Sequence, residues 1–422
     1  MLPLTRLSTT DGQDVEVIDA GLQNTDSGPD FFNAKVKIGG TLWVGNVEIH
    51  ERASSWHTHG HDRDKAYDNV VLHVVSIIDA AAVTSDGRRV PQMRLDVPQS
   101  VACNYAALLS ADPYPPCRAV VPRLDRLTVH GWMSRLLTER LEQKTEAILR
   151  RVELCDGSWE SALFVTMARN YGFGVNGDAF ERWAAGIPLQ SVARHRDDLM
   201  QIEAVFMGQA GLLDPASLPA RHRETARAEG YFDRLRDEYL YLAHKFGLKP
   251  MDAGEWKFLR MRPQNFPHIR LSQLASLYHS RRSDLSRLAE CTTADDMRRL
   301  LHTEVTPYWE THYTFGNACG KTRKALSPAS LDLIIINTAV PMLFAYGRHR
   351  RDDALTARAL DIITALKPER NHIVRLWERC GLKAESAADS QALIQLRREY
   401  CDRKDCLRCR IGYEFLRNRN GK

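Results

Sequence analysis

Five of the fifteen histidines in this chain fall within residues 45–75, GNVEIHERASSWHTHGHDRDKAYDNVVLHVV, together with Glu48, Asp62 and Asp64. Imidazoles and carboxylates at this density are the donors that bind divalent cations. A bound cation can turn water into a nucleophile or polarise a phosphoryl oxygen. In TLWVGNVEIH, Glu48 and His50 are two apart on an expected strand, so they share a face. Asp30 stands in Gly-Pro-Asp, just ahead of the partner run FFNAKVKI. Carboxylates on adjacent strand ends suit Mg2+ or Mn2+. The expected arrangement has Asp30 and Glu48 as ligands, His50 as base or transition-state stabiliser, and His57 or His61 assisting. His73 lies inside an apolar run and reads as a satisfied core histidine.

The elements that must position these residues are legible in outline. FFNAKVKI and TLWVGNVEIH flank Gly39-Gly40, a hairpin signal. A two-residue turn there sets Asp30 opposite Ile49, on the face away from Glu48. The site therefore requires Asp30 to lie in the turn before the strand, or a β-bulge in the hairpin. NVVLHVVSII (69–78) suits a strand buried on both faces. Asp62–Asp68 has the composition of a short helix, and VPQMRLDVP (90–98) of a further strand.

Pro29-Asp30 and Glu48-Ile49-His50 resemble the motif of the PD-(D/E)XK nuclease superfamily, an Asp after Pro at a strand start and an acidic-x-Lys on the next strand. The resemblance covers about 60 residues and implies metal-dependent phosphodiester hydrolysis. His50 stands where the family has Lys. The very-short-patch mismatch endonucleases are a histidine-bearing variant, and Trp56-His57-Thr58-His59-Gly60-His61 is similar to their tail. Lys35 or Lys37 is the alternative source of the missing charge. A second resemblance is to cupin-like barrels, which use His-x-His followed by an acid; it implies Fe2+ or Zn2+ on His57, His59 and Asp64, and a small-molecule substrate.

Residues 400–416 read YCDRKDCLRCRIGYEFL, with Cys401, Cys406 and Cys409 inside nine residues and Cys380 upstream. Four thiolates would complete a Zn2+ or [4Fe–4S] site, with His372 as the alternative fourth ligand to Cys380. Nine cysteines in 422 residues are too few for a disulfide scaffold.

Length predicts two or three domains, and texture changes at DPYPPCR. Residues 1–114 are expected to form an α+β domain with a mixed sheet, 115–379 a mainly helical domain, and 380–422 a metal-binding tail. Residues 1–114 carry nine Lys/Arg against fifteen Asp/Glu, and the remainder forty-nine against thirty-eight. An acidic module followed by a basic body fits a metal site joined to a polyanion-binding scaffold. Lys257, Arg260, Arg262 and Arg270, interleaved with Trp256, Phe258 and Phe266, are the candidate nucleic-acid contacts; ordinary helix packing explains the same pattern. Gly320-Lys321-Thr322 lacks the spacing of a phosphate-binding P-loop, though Lys321, Arg323 and Lys324 remain a candidate phosphate patch. The mean hydropathy of −0.38, and the lack of a run of eighteen apolar residues or a secretory leader, predict a cytoplasmic protein without membrane partners.

GPDFFNAKV, VEIHERASSWHTHGH, QIEAVFMGQAGLL, FLRMRPQNFPHIRLSQLA, the Ser-Gln-Ala-Leu-Ile run and the terminal cysteines resemble, over nearly the full length, an uncharacterised bacterial family, domain of unknown function 2851. That family implies a shared fold and no activity. Function must come from the residues: a metal-dependent nuclease first, a non-catalytic nucleic-acid-binding or assembly protein with a degenerate nuclease core second, and a cupin-like metalloenzyme third.

Overall fold

The computed structural model describes residues 7–24, 27–97, 99–110 and 115–417. Contacts divide the chain into two units, Met1–Val120 with Cys406–Lys422, and Val121–Asp405. The expected boundary at 114 adjoins residues outside those described; the division falls at Val120. The tail expected as a third domain is split instead. Its last segment joins the first unit, where helix Arg410–Arg417 packs on Gln99–Ser110 and Asn104 Nδ2 donates to the Leu416 carbonyl at 3.1 Å.

The first unit is built on a mixed sheet of β1 (Leu7–Ser8), β2 (Asp14–Asp19), β3 (Leu22–Gln23), β4 (Phe31–Ile38), β5 (Thr41–Arg52), β6 (Val70–Ile77) and β7 (Gln92–Arg94). The order is β1-β2-β4-β5-β6-β7, with β3 also on β4. Pairs up to β4–β5 are antiparallel, while β6 and β7 run parallel to β5. A bridge between Thr9 and Met93, with Thr10 N–H donating to the Gln92 carbonyl at 2.8 Å, nearly closes the sheet into a barrel. Val15, Ala34, Val36, Ile38, Val47, Leu72, Val74 and Met93 form one core cluster. As expected, β6 is buried on both faces, from Val70 through Val75.

The hairpin keeps the two-residue-turn register from Ile38–Thr41 to Ala34–Gly45, then slips by one residue to Phe31–Val47. The slip is a β-bulge centred on Asn33, whose φ of 56° is left-handed, a region Asn tolerates better than most residues. Asp30 also precedes the strand. Both conditions for bringing it to the Glu48 face are met.

Parallel pairing of β5 and β6 requires a crossover, and residues 53–69 provide it. They form α1 (Ser55–Thr58) and a 3-10 turn at Lys65–Tyr67, capped by Asp64, which accepts the Ala66 N–H at 2.9 Å. The histidine-rich segment is therefore the crossover itself. Trp56, fully buried, packs with Tyr67, Val70, Ala82 and Val90, and its Nε1 donates to the Val83 carbonyl at 2.8 Å. The second unit is mainly helical, and its helix Arg126–Leu154 is capped by Asp125. Its stretch Pro328–Arg350 is long and apolar enough to cross a membrane, yet 67% of the relevant window is buried, as in a core helix.

Candidate metal centre

Alternation along β5 sends Val47 to the barrel core and Glu48 and His50 to the opposite face. In the parallel register His73 lies beside Glu48, and Gln92 of β7 lies beside His73. The crossover then lowers His59 and His61 onto this row. His61 is held in place by stacking on Tyr67, with ring centroids 3.7 Å apart, and by the edge of Trp56.

One nitrogen each from His50, His59 and His61 lie within 4.8 Å of one another. His50 Nε2 is 3.2 Å from His59 Nδ1. Glu48 Oε1 is 3.3 Å from His50 Nε2 and 3.4 Å from His61 Nε2. Bonds of about 2.0–2.1 Å to a tetrahedral ion set its ligand atoms about 3.3–3.4 Å apart, against about 3.0 Å for an octahedral one. All three distances are close to a tetrahedral edge. His61 Nε2 is buried and has no hydrogen-bond partner, although Glu48 Oε1 lies 3.4 Å away. His50, His59 and His61 could together hold a metal ion; imidazole donors suit transition ions such as Zn2+, whereas Mg2+ takes oxygen ligands in an octahedron.

Electrostatics suit neutral ligands. Burial, with the neighbouring His59 and His61 adding to it, lowers His50 to about 4. Burial also lowers His61 and takes His73 to about 4. Glu48, only 5% exposed, is pushed up to about 7 by burial and then by the charge of Asp30.

Asp30 is brought to Glu48, as the sequence required, but in a different role. Its N–H donates to Glu48 Oε2 at 3.1 Å, and its Oδ2 accepts the Ile49 N–H at 2.8 Å. Asp30 thus clasps Glu48 through its N–H, and it stands outside the group of His50, His59 and His61 that could hold a metal ion. His57 points elsewhere, with Nε2 at 2.8 Å from the Ala81 carbonyl and Nδ1 at 3.4 Å from Asp62. Asp64 is spent as a cap, so the expected set of His57, His59 and Asp64 is not assembled. Lys35 and Lys37 pair with Val44 and Leu42, about 13 and 20 Å along β5 from Glu48 at roughly 3.3 Å per residue, too far to replace the missing charge. His73 is fully buried, as expected, but it is not an idle core residue: its Nε2 is 3.0 Å from His50 Nδ1.

In the second unit, Lys257, Arg260 and Arg262 are exposed. Arg270 is not: it is 6% exposed, donates to Gln273 Oε1 at 2.8 Å and Asn265 Oδ1 at 2.6 Å, and lies over Phe173. It serves packing rather than a polyanion, and Trp256 is likewise core. Lys324 is buried and donates to the carbonyls of Trp309, Glu310 and His312, which removes it from any phosphate patch. Cys380 and Cys401 belong to the second unit and Cys406 and Cys409 to the first.

No curated protein and no solved structure matches the chain. Residues 1–372 match the family described as protein of unknown function (DUF2851), and the chain belongs to that family.

Proposed function

We propose that His50, His59, His61 and Glu48 hold a divalent transition metal, Zn2+ in the first instance, and that the chain is a metal-dependent hydrolase of nucleic-acid phosphodiesters. The observation that supports this reading most is the gathering of one nitrogen each from His50, His59 and His61 within 4.8 Å of one another, with Glu48 Oε1 3.3 Å from His50 Nε2 and 3.4 Å from His61 Nε2 and His61 Nε2 lacking a hydrogen-bond partner. The three histidines would hold the ion, which would supply Lewis-acid charge at a phosphoryl oxygen. Glu48, pushed up to about 7 by burial, would accept the proton of the attacking water as its oxygen bonds to phosphorus and the ester oxygen leaves.

The choice of phosphodiester rests on the resemblance of Pro29-Asp30 and Glu48-x-His50 to nucleases, together with the bulge that brings Asp30 to Glu48. Exposed Lys257, Arg260 and Arg262 remain candidate backbone contacts in this reading, and a cytoplasmic setting accompanies it. With Zn2+ or Mn2+ supplied, the purified chain is expected to cleave single- or double-stranded DNA or RNA. Glu48→Ala is expected to lower the rate by about 100-fold or more, in line with loss of a general base. Intact polymers in every case, with metal bound, would shift the reading to a non-catalytic nucleic-acid-binding protein.

A small-molecule metalloenzyme is the second reading, favoured by three imidazoles and one carboxylate on a nearly closed barrel. A separate proposal rests on sequence spacing alone: Cys401, Cys406 and Cys409, with Cys380 upstream, have the residue types of a structural Zn2+ or [4Fe–4S] centre.

A further inference from the structure

A row of hydrogen bonds runs across three strands behind the candidate metal centre. Gln92 Nε2 is 3.1 Å from the Ala80 carbonyl and 3.3 Å from His73 Nδ1. His73 Nε2 is 3.0 Å from His50 Nδ1. His50 Nε2 then faces Glu48 Oε1 and His59 Nδ1. Gln92 and His73 are 5% and 0% exposed, so water does not compete along the row.

The row has a direction. A backbone carbonyl only accepts, so Ala80 fixes the Gln92 amide with its NH2 group toward both Ala80 and His73. His73 Nδ1 must then carry the lone pair, which leaves the proton of a neutral His73 on Nε2. That proton is donated to His50 Nδ1, so a neutral His50 carries its own proton on Nε2, inside the site. Of the groups that face this nitrogen, the Glu48 carboxylate accepts and His59 Nδ1 accepts when its own proton is on Nε2, so the direction is consistent from end to end.

Ligation of a cation by His50 Nε2 needs the opposite state. His50 would donate from Nδ1 to His73 Nε2, His73 from Nδ1 to an oxygen, and the Gln92 amide would have to turn its oxygen toward His73. The turned oxygen would also face the Ala80 carbonyl, and that hydrogen bond would be lost. We infer that Gln92, acting through His73, sets which nitrogen of His50 carries the proton, and so whether His50 donates into the site or offers a lone pair to a cation. Gln92 and His73 are thus positioning residues for His50. The consequence for cation affinity rests on the metal reading above; the direction of the row does not.

Gln92→Glu tests this in the full-length chain. A carboxylate at 92 accepts from His73 Nδ1–H and reverses the row. Ring 15N spectra of the histidine-labelled, metal-free protein, assigned with His50→Asn and His73→Asn, report the tautomers directly. The expected result is Nε2–H on both rings in the wild type and Nδ1–H on both in Gln92→Glu. Affinity for Zn2+ and Co2+ should then rise by about 10- to 100-fold, the usual scale of outer-shell effects. Nδ1–H on His73 in the wild type, or tautomers unchanged by Gln92→Glu in a variant of unaltered Tm, overturns the inference. Reversed tautomers without a gain in affinity overturn its link to the cation. Reversal in a chain that binds neither ion upholds the row and overturns the metal reading instead.

Discussion

His61→Ala is expected to abolish stoichiometric binding of a transition metal by the first unit. Tetrahedral protein sites bind zinc with about 10–16 kcal/mol in all, so one ligand of four is worth roughly 2.5–4 kcal/mol, about 100- to 1,000-fold in Kd. His61 should lie at the upper end, because Nε2 is buried without another partner and its ring is fixed by stacking on Tyr67. A saturating ion also stabilises the fold that binds it, by about 2.7 kcal/mol at a hundred times its Kd. Zinc should therefore raise the Tm of the wild type and leave that of His61→Ala unmoved. Equal zinc-induced shifts in the two proteins would remove His61 from the centre.

The second large effect is on the scaffold. Trp56→Ala is expected to destabilise the first unit by about 3–5 kcal/mol, the usual cost of removing a buried Trp. Trp56 is fully buried, anchors the crossover through its hydrogen bond to the Val83 carbonyl, and stands against both His61 and His73. Trp56→Phe keeps most of the packing and should lose mainly the hydrogen bond, on the order of 1 kcal/mol. Urea titration of both variants, with limited proteolysis to locate the opened segment, separates the two terms. A loss below about 1 kcal/mol in Trp56→Ala, or first cleavage outside residues 53–69, would show that the tryptophan does not hold the crossover.

Much of the first unit could be read from local sequence. The Gly39-Gly40 hairpin, the buried run 69–78 and the need for a bulge all follow from alternation and turn chemistry. The bulge itself could only be stated as a condition, because an Asn that adopts a left-handed conformation looks like any other Asn in a strand. The ligand set was harder. Alternation of His57, His59 and His61 suggests a shared face only if the segment is extended. It instead makes one helical turn at Ser55–Thr58 and then reverses at Gly60, whose φ is 77°. That bend sends His57 outward and lowers His59 and His61 onto the sheet. The parallel pairing of β5 with β6 was not legible either, since both strands carry the same apolar texture whichever way they run. It decides the site, because it sets His73 beside Glu48 and Gln92 beside His73. Arg270 misled for the complementary reason: an arginine among aromatics can face solvent or, as here, turn inward and donate to two amide oxygens.

The most direct test of the central claim is X-ray absorption at the zinc edge on the full-length chain with Cys406 and Cys409 replaced by serine, which removes their thiolates as competing ligands. The expected result is one zinc per chain, with nitrogen and oxygen neighbours at about 2.0–2.1 Å, multiple scattering from three imidazoles and no sulfur shell. A chain that retains zinc only while those cysteines are present, with sulfur at about 2.3 Å, would contradict it.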